Sequence, residues 1–172
     1  MEQHLIASLS SEQAQQALMT FYDLLPGELW EGGVKPSAAQ IEFTAERLRD
    51  NAPEDVRPVV GALLAEGGEE EKGEVAKAVL SLYHEQKPLR GFVEQAVEQA
   101  KQPHMAPIPL IIGAVIVILA ALPKEVKVDL KEGRGEMKTG HLKDAAALMK
   151  ELAKFAGTLP ATLYERLLQL RG

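Results

Sequence analysis

Pro107-Ile-Pro-Leu-Ile-Ile-Gly-Ala-Val-Ile-Val-Ile-Leu-Ala-Ala-Leu-Pro123 is the stretch on which the fold of this chain turns. From Met105 to Pro123, nineteen residues, nothing is charged or strongly polar. At helical rise that length reaches roughly 28 Å, against a bilayer hydrocarbon core of about 30 Å. Pro107 and Pro109 suit the first turn of a helix and Pro123 suits its end. Gly113 and Ala114 offer a small-residue face for close approach to another helix. The same residues support an opposite reading. Ile111, Ile112, Val115, Ile116, Val117 and Ile118 are β-branched, as in the buried central strand of a small sheet. In that case the strand lies beside Val126–Leu130 and is covered by Leu142, Met149 and Leu152. The segment 107–123 is therefore either a membrane helix or a buried strand.

Working back from this stretch, the front of the chain is helical throughout. Leu5, Leu9, Ala14, Leu18 and Phe21 fall at helical spacing, with a break and an N-cap at Ser10-Ser11. Pro26-Gly27 and Gly32-Gly33 punctuate a loop that holds Trp30, expected to pack over helix ends. Ser37 caps a helix over Ala38–Arg49, with Ile41, Ala45 and Leu48 on one face. Pro53 is expected to start another helix, running to about Ala65, with Gly67-Gly68 ending it. Glu69-Glu70-Glu71 suit the positive end of a helix dipole, and Val75, Val79, Leu82 and Tyr83 form the apolar face that follows. Pro88 opens a last helix through about Lys101. Residues 1–102 thus read as a bundle of five or six helices.

Forward of the stretch the period changes. Val126, Val128 and Leu130 alternate with Lys127 and Asp129, the strand pattern. Residues 131–135 make a turn and Glu136–Thr139 return, giving an expected short β-hairpin. Leu142, Ala145, Met149 and Leu152 resume helical spacing, and a final helix starts near Pro160. The fold class expected is mainly α: an N-terminal bundle over 1–102, the apolar segment 107–123, then an α+β C-terminal module over 124–172 with a β-hairpin and two helices.

Charge is divided unevenly. Residues 1–106 carry 9 basic and 18 acidic side chains and residues 107–172 carry 10 and 7, net −9 and +3. An acidic front half argues against nucleic acid, because phosphate contact needs clustered cations. Lys124, Lys127, Lys131 and Arg134 follow the apolar stretch and suit an anionic surface; by the positive-inside rule they would place the C-terminal module in the cytoplasm. No secretory signal is expected from Met1-Glu2-Gln3-His4.

Chemistry is sparse. There is no cysteine, so disulfides, thiolate metal sites and cysteine nucleophiles are excluded. His4, His84, His104 and His141 lack metal-ligand spacing and read as surface or packing residues. Gly133-Arg134-Gly135-Glu136-Met137-Lys138-Thr139-Gly140 fails as a phosphate loop, because no Gly-Lys-Ser/Thr closes it. There is no Gly-x-Ser-x-Gly elbow. No catalytic residue, cofactor or metal is assigned, and a small enzyme with an acidic site is the least supported class.

The order of parts resembles small effector-associated adaptor components of bacterial conflict and signalling systems, in which a death-domain-like helical module adjoins an apolar segment, a strand pair and a helix. The matching features are the helical reading of residues 2–101, Ile108–Leu122, Val126-Lys127-Val128-Asp129-Leu130 and Asp144-Ala145-Ala146-Ala147-Leu148. The resemblance covers layout, not aligned motifs. It implies a non-enzymatic adaptor in antiviral defence or signalling, cytoplasmic or associated with the inner membrane. Its partner would be another protein, a membrane or a second copy. Ile111, Ile112, Val115, Ile116 and Ile118 are its expected lipid or oligomer contacts. The competing expectation is a soluble α+β partner or inhibitor protein with Ile108–Leu122 in its core.

Overall fold

A computed structural model describes residues 2–26, 37–51, 54, 57–65, 67–102, 112–120, 127–129 and 134–136. Seven helices occur among the described residues: α1 Glu2–Ala7, α2 Ser11–Leu24, α3 Ala38–Asn51, α4 Arg57–Leu64, α5 Glu69–His84, α6 Lys87–Lys101 and α7 Ile112–Ala120.

Local chemistry sets most of their ends. Ser10 stands between α1 and α2 in an extended conformation. Its Oγ accepts from the Gln13 amide at 3.1 Å while Gln13 Oε1 accepts from the Ser10 amide at 2.9 Å. This reciprocal box satisfies two donors that a helix start leaves unpaired. Ser10→Ala should lower stability by about 1 kcal/mol, read as a fall in the urea midpoint without a change in slope. Gly67 and Gly68 both have positive φ, 86° and 63°, which turns the chain sharply between α4 and α5. Three carboxylates, Glu69 to Glu71, then open α5. Pro88 lies in the first turn of α6, where its missing amide removes no helical bond.

Packing divides the helices into two groups. The broadest contact is α2 against α5 and α6, which also pack on each other, with α1 laid against α5 and α6. Phe21, Leu18, Leu80 and Leu89 are fully buried there. The other group is α3 and α4, which pack on each other and on α7. Helix α7 also touches α2 and α5, so it is the element shared by both groups.

Two expectations are corrected. The expected β-hairpin and α+β C-terminal module do not describe this fold: the described residues are overwhelmingly helical and contain no sheet layer. The extended pairing that is present among the described residues, Lys127–Asp129 with Arg134–Glu136, is three residues a side and gives a helix nothing to cover. The described part of the apolar segment is also not a strand. Residues 112–120 form α7, whose described side chains lie in the core of the bundle. A strand there would need neighbours for its amides and carbonyls, whereas a helix bonds its own. The helix expected from Pro53 is found over Arg57–Leu64, with Pro58 in its first turn. Trp30, His104, His141, Leu142, Met149, Leu152 and the helices expected after Thr139 lie outside the described residues.

Candidate functional site

Nine residues of α7, Ile-Gly-Ala-Val-Ile-Val-Ile-Leu-Ala, carry no polar side chain. A helix apolar on every face has no side to offer water and must be enclosed. Val115, Ile116 and Leu119 are fully buried, and Ile112 and Ala114 nearly so, between α2, α3, α4 and α5. Among the expected contact residues, Ile112, Val115 and Ile116 therefore sit together in the core. Ile111 and the side chain of Ile118 lie outside what is described. Among the described residues no helix is long and apolar enough to cross a membrane.

Each end of α7 is held by one specific contact. At its start Gly113 lies against the last turn of α4, so close that a Cβ would collide with the Leu63 carbonyl oxygen. Only glycine fits that approach. At its end the Tyr83 hydroxyl of α5 donates to the Leu119 carbonyl. Its helical donor would be the residue four positions on, Pro123, which has no amide hydrogen. The Tyr83 ring is itself buried against Phe21, with centroids 5.5 Å apart and planes tilted by 35°. The sequence marks Gly113 as a close-approach residue, whereas spacing marks Tyr83 only as part of an apolar face.

Among the described residues Gln15, Lys72 and His84 are polar side chains buried in the bundle, and composition singles out none of them. Lys72 is 5% exposed and its Nζ donates to the Ala65 carbonyl, placing a cation where α4 ends and its dipole is negative. Gln15 Nε2 donates to the carbonyls of Ser11, at 3.3 Å, and Glu69, at 3.2 Å, tying α2 to the start of α5; its Oε1 is buried without a partner. His84 Nε2 lies 3.2 Å from Glu94 Oε1, and the Arg90 Nε donates to the His84 carbonyl at 3.0 Å. The available signal is position: Lys72 shares the helical ridge of Ala76, Val79 and Tyr83, and Gln15 that of Leu18 and Tyr22.

Among the described residues no three His, Asp or Glu side chains gather as a metal site. A groove of about 280 Å³ lies between the start of α2 and the end of α6, lined by Ser10, Glu12, Gln13, Gln16, Ala100, Lys101 and Gln102. Ser10 and Gln13 cap α2 there and Lys101 pairs with Glu98 at 3.6 Å, so these polar groups are engaged in local structure.

Burial, and after it the Asp23 carboxylate, pushes the Tyr22 hydroxyl up to about 12. The folded state thus favours the neutral phenol. Unfolded tyrosine ionises near pH 10, so this stability is complete below about pH 10 and is lost as pH rises toward 12. Tyr22→Phe should flatten the decline over that window by about 1–2 kcal/mol, measured by urea titrations at stepped pH.

Fold and site together define an α-helical bundle that encloses an apolar helix. Comparison with known protein families, with curated protein sequences and with solved structures found no match.

Proposed function

We propose that this chain is a non-enzymatic interaction protein whose bundle keeps an apolar helix from solvent until it engages a membrane or a protein partner. The observation that carries this reading is α7: among the described helices it is the one without a polar face, and the bundle encloses every described side chain on it. The uninterrupted apolar run, Ile108–Leu122, is longer than the nine helical residues. Cations follow it at Lys124, Lys127, Lys131 and Arg134, suited to an anionic headgroup layer. The buried donors on Tyr83, Lys72 and Gln15 bond backbone carbonyls, and the residues of α7 are all apolar, so what α7 offers a partner is apolar contact. The layout resemblance to adaptor components of bacterial conflict systems supports the same class, with cytoplasmic or inner-membrane association as its setting.

Co-sedimentation with vesicles of phosphatidylglycerol and phosphatidylcholine tests this. The protein should remain in the supernatant at rest. It should move to the vesicle fraction in urea just below the unfolding midpoint, where α7 becomes exposed, and less so when phosphatidylglycerol is omitted. Retention in the supernatant throughout the transition would remove the membrane role.

A further inference from the structure

We infer that α7 leaves the bundle as a unit, gated by the Tyr83 hydroxyl on the Leu119 carbonyl and by the Gly113 seat on Leu63; this rests on the reading of α7 as a sequestered helix. The gate is built from the ends of the helix, where each contact does something the apolar packing does not. Four residues on from Leu119 stands Pro123, which has no amide to give the Leu119 carbonyl, and the Tyr83 hydroxyl donates to it in the dry interior. Gly113 lets α7 descend onto the backbone of α4, a fit that exists only in the closed position. Between those two points the contacts are apolar and non-directional.

The packing pattern says what moves. Helices α2, α5 and α6 pack broadly on one another without α7, whereas the principal partners of α3 and α4 are each other and α7. Loss of α7 therefore leaves the first group intact and removes the main attachment of the second. The α4–α5 corner supplies a pivot: Gly67 and Gly68 both occupy the left-handed region, and the buried Lys72 tethers Ala65 across it. The opened form is thus an α2–α5–α6 core with α3–α4 swung from its corner and α7 free. Local openings begin in the parts of a structure with the fewest mutual contacts, here α3 and α4, and their departure uncovers the side of α7 that they pack against.

Hydrogen exchange of the full chain, resolved by helix, tests the gate. Tyr83→Phe keeps the ring against Phe21 and removes only the donor. It should raise exchange in α7, α3 and α4 roughly tenfold, the effect of one lost buried hydrogen bond, while α2, α5 and α6 keep their protection. Ser10→Ala is the comparison, since it weakens the fold at a cap that makes neither of the gate's contacts. It should leave α7 exchange unchanged relative to wild type under conditions of local opening. A Tyr83→Phe protein whose helices all gain exchange equally, or whose α7 gains none, overturns the gate. Vesicle binding separates the two ideas. If α7 exchange rises in Tyr83→Phe and vesicle binding rises with it, both stand. If exchange rises and vesicles are ignored, the gate stands and the membrane role falls.

Discussion

Replacing Gly113 with alanine is expected to lower stability by about 2–3 kcal/mol and the melting temperature by roughly 5–10 °C. The sign runs against helix propensity, which favours alanine over glycine within a helix by about 1 kcal/mol. The deciding fact is what a Cβ would meet. At Gly113 it meets the Leu63 carbonyl oxygen, which is backbone and cannot rotate aside, so α7 must lift from α4. Gly91 supplies the opposite case on α6: it is exposed and nothing lies within 4 Å of the place its methyl would take, so Gly91→Ala should stabilise by about 0.5–1 kcal/mol. Gly73 repeats the Gly113 situation where α5 crosses Ser11 at the start of α2. Thermal unfolding followed by circular dichroism reads all three. A Gly113→Ala protein that melts with or above the wild type would mean α7 is not seated on α4.

That contrast also shows which parts of the fold local sequence can convey. The Ser10 cap, the glycine corner at Gly67-Gly68, the acidic start of α5 and the proline at the start of α6 all depend on residues within a turn of one another, and the structure places each where local chemistry puts it. The contacts that set α7 in place span the chain. Tyr83 meets a carbonyl 36 residues away and Gly113 meets the carbonyl of Leu63 on another helix, so neither partner is written near the residue that needs it. Gly113 announces a close approach but not the helix approached. Lys72 and Gln15 are visible as polar residues on apolar ridges, and their partners depend on the α4–α5 corner and the α2–α5 crossing.

The apolar stretch shows why β-branched content misleads. Ile112, Val115, Ile116, Val117 and Ile118 each cost a helix about half a kcal/mol relative to alanine, roughly 2–3 kcal/mol in all. Burying one side chain of this size recovers about 1.5–3 kcal/mol, and Ile112, Val115 and Ile116 are all buried. Tertiary burial therefore outweighs the local preference. Among the described residues the strand alternative also has no sheet layer to join: without neighbouring strands its peptide groups would be buried unpaired, a larger penalty than the propensity it gains.

Val115→Asp should be the most damaging change, lowering stability by more than about 4 kcal/mol and loosening α7 and, with it, α3 and α4. Val115 is fully buried on a helix that touches α2, α3, α4 and α5, so a carboxylate there is desolvated from every side. Burial raises the pKa of such a group above its unfolded value near 4. The penalty is therefore greatest at neutral pH and shrinks as pH falls and the group is protonated in both states. Compared with wild type at each pH, the variant should recover part of its loss on going from about pH 7 to about pH 4, measured by urea titration. Gln95→Asp, exposed on α6, places the same charge on the surface and should stay within about 0.5 kcal/mol of wild type. The core substitution also separates core from anchor. If α7 served a membrane alone, the charge would abolish vesicle binding and leave the bundle's melting unchanged. Since α7 is the element joining α3–α4 to α2–α5, the expected result is loss of both, with a melting transition that is lower, broader or absent. A Val115→Asp protein that retains wild-type melting would show that α7 is not part of the core that holds the helices together.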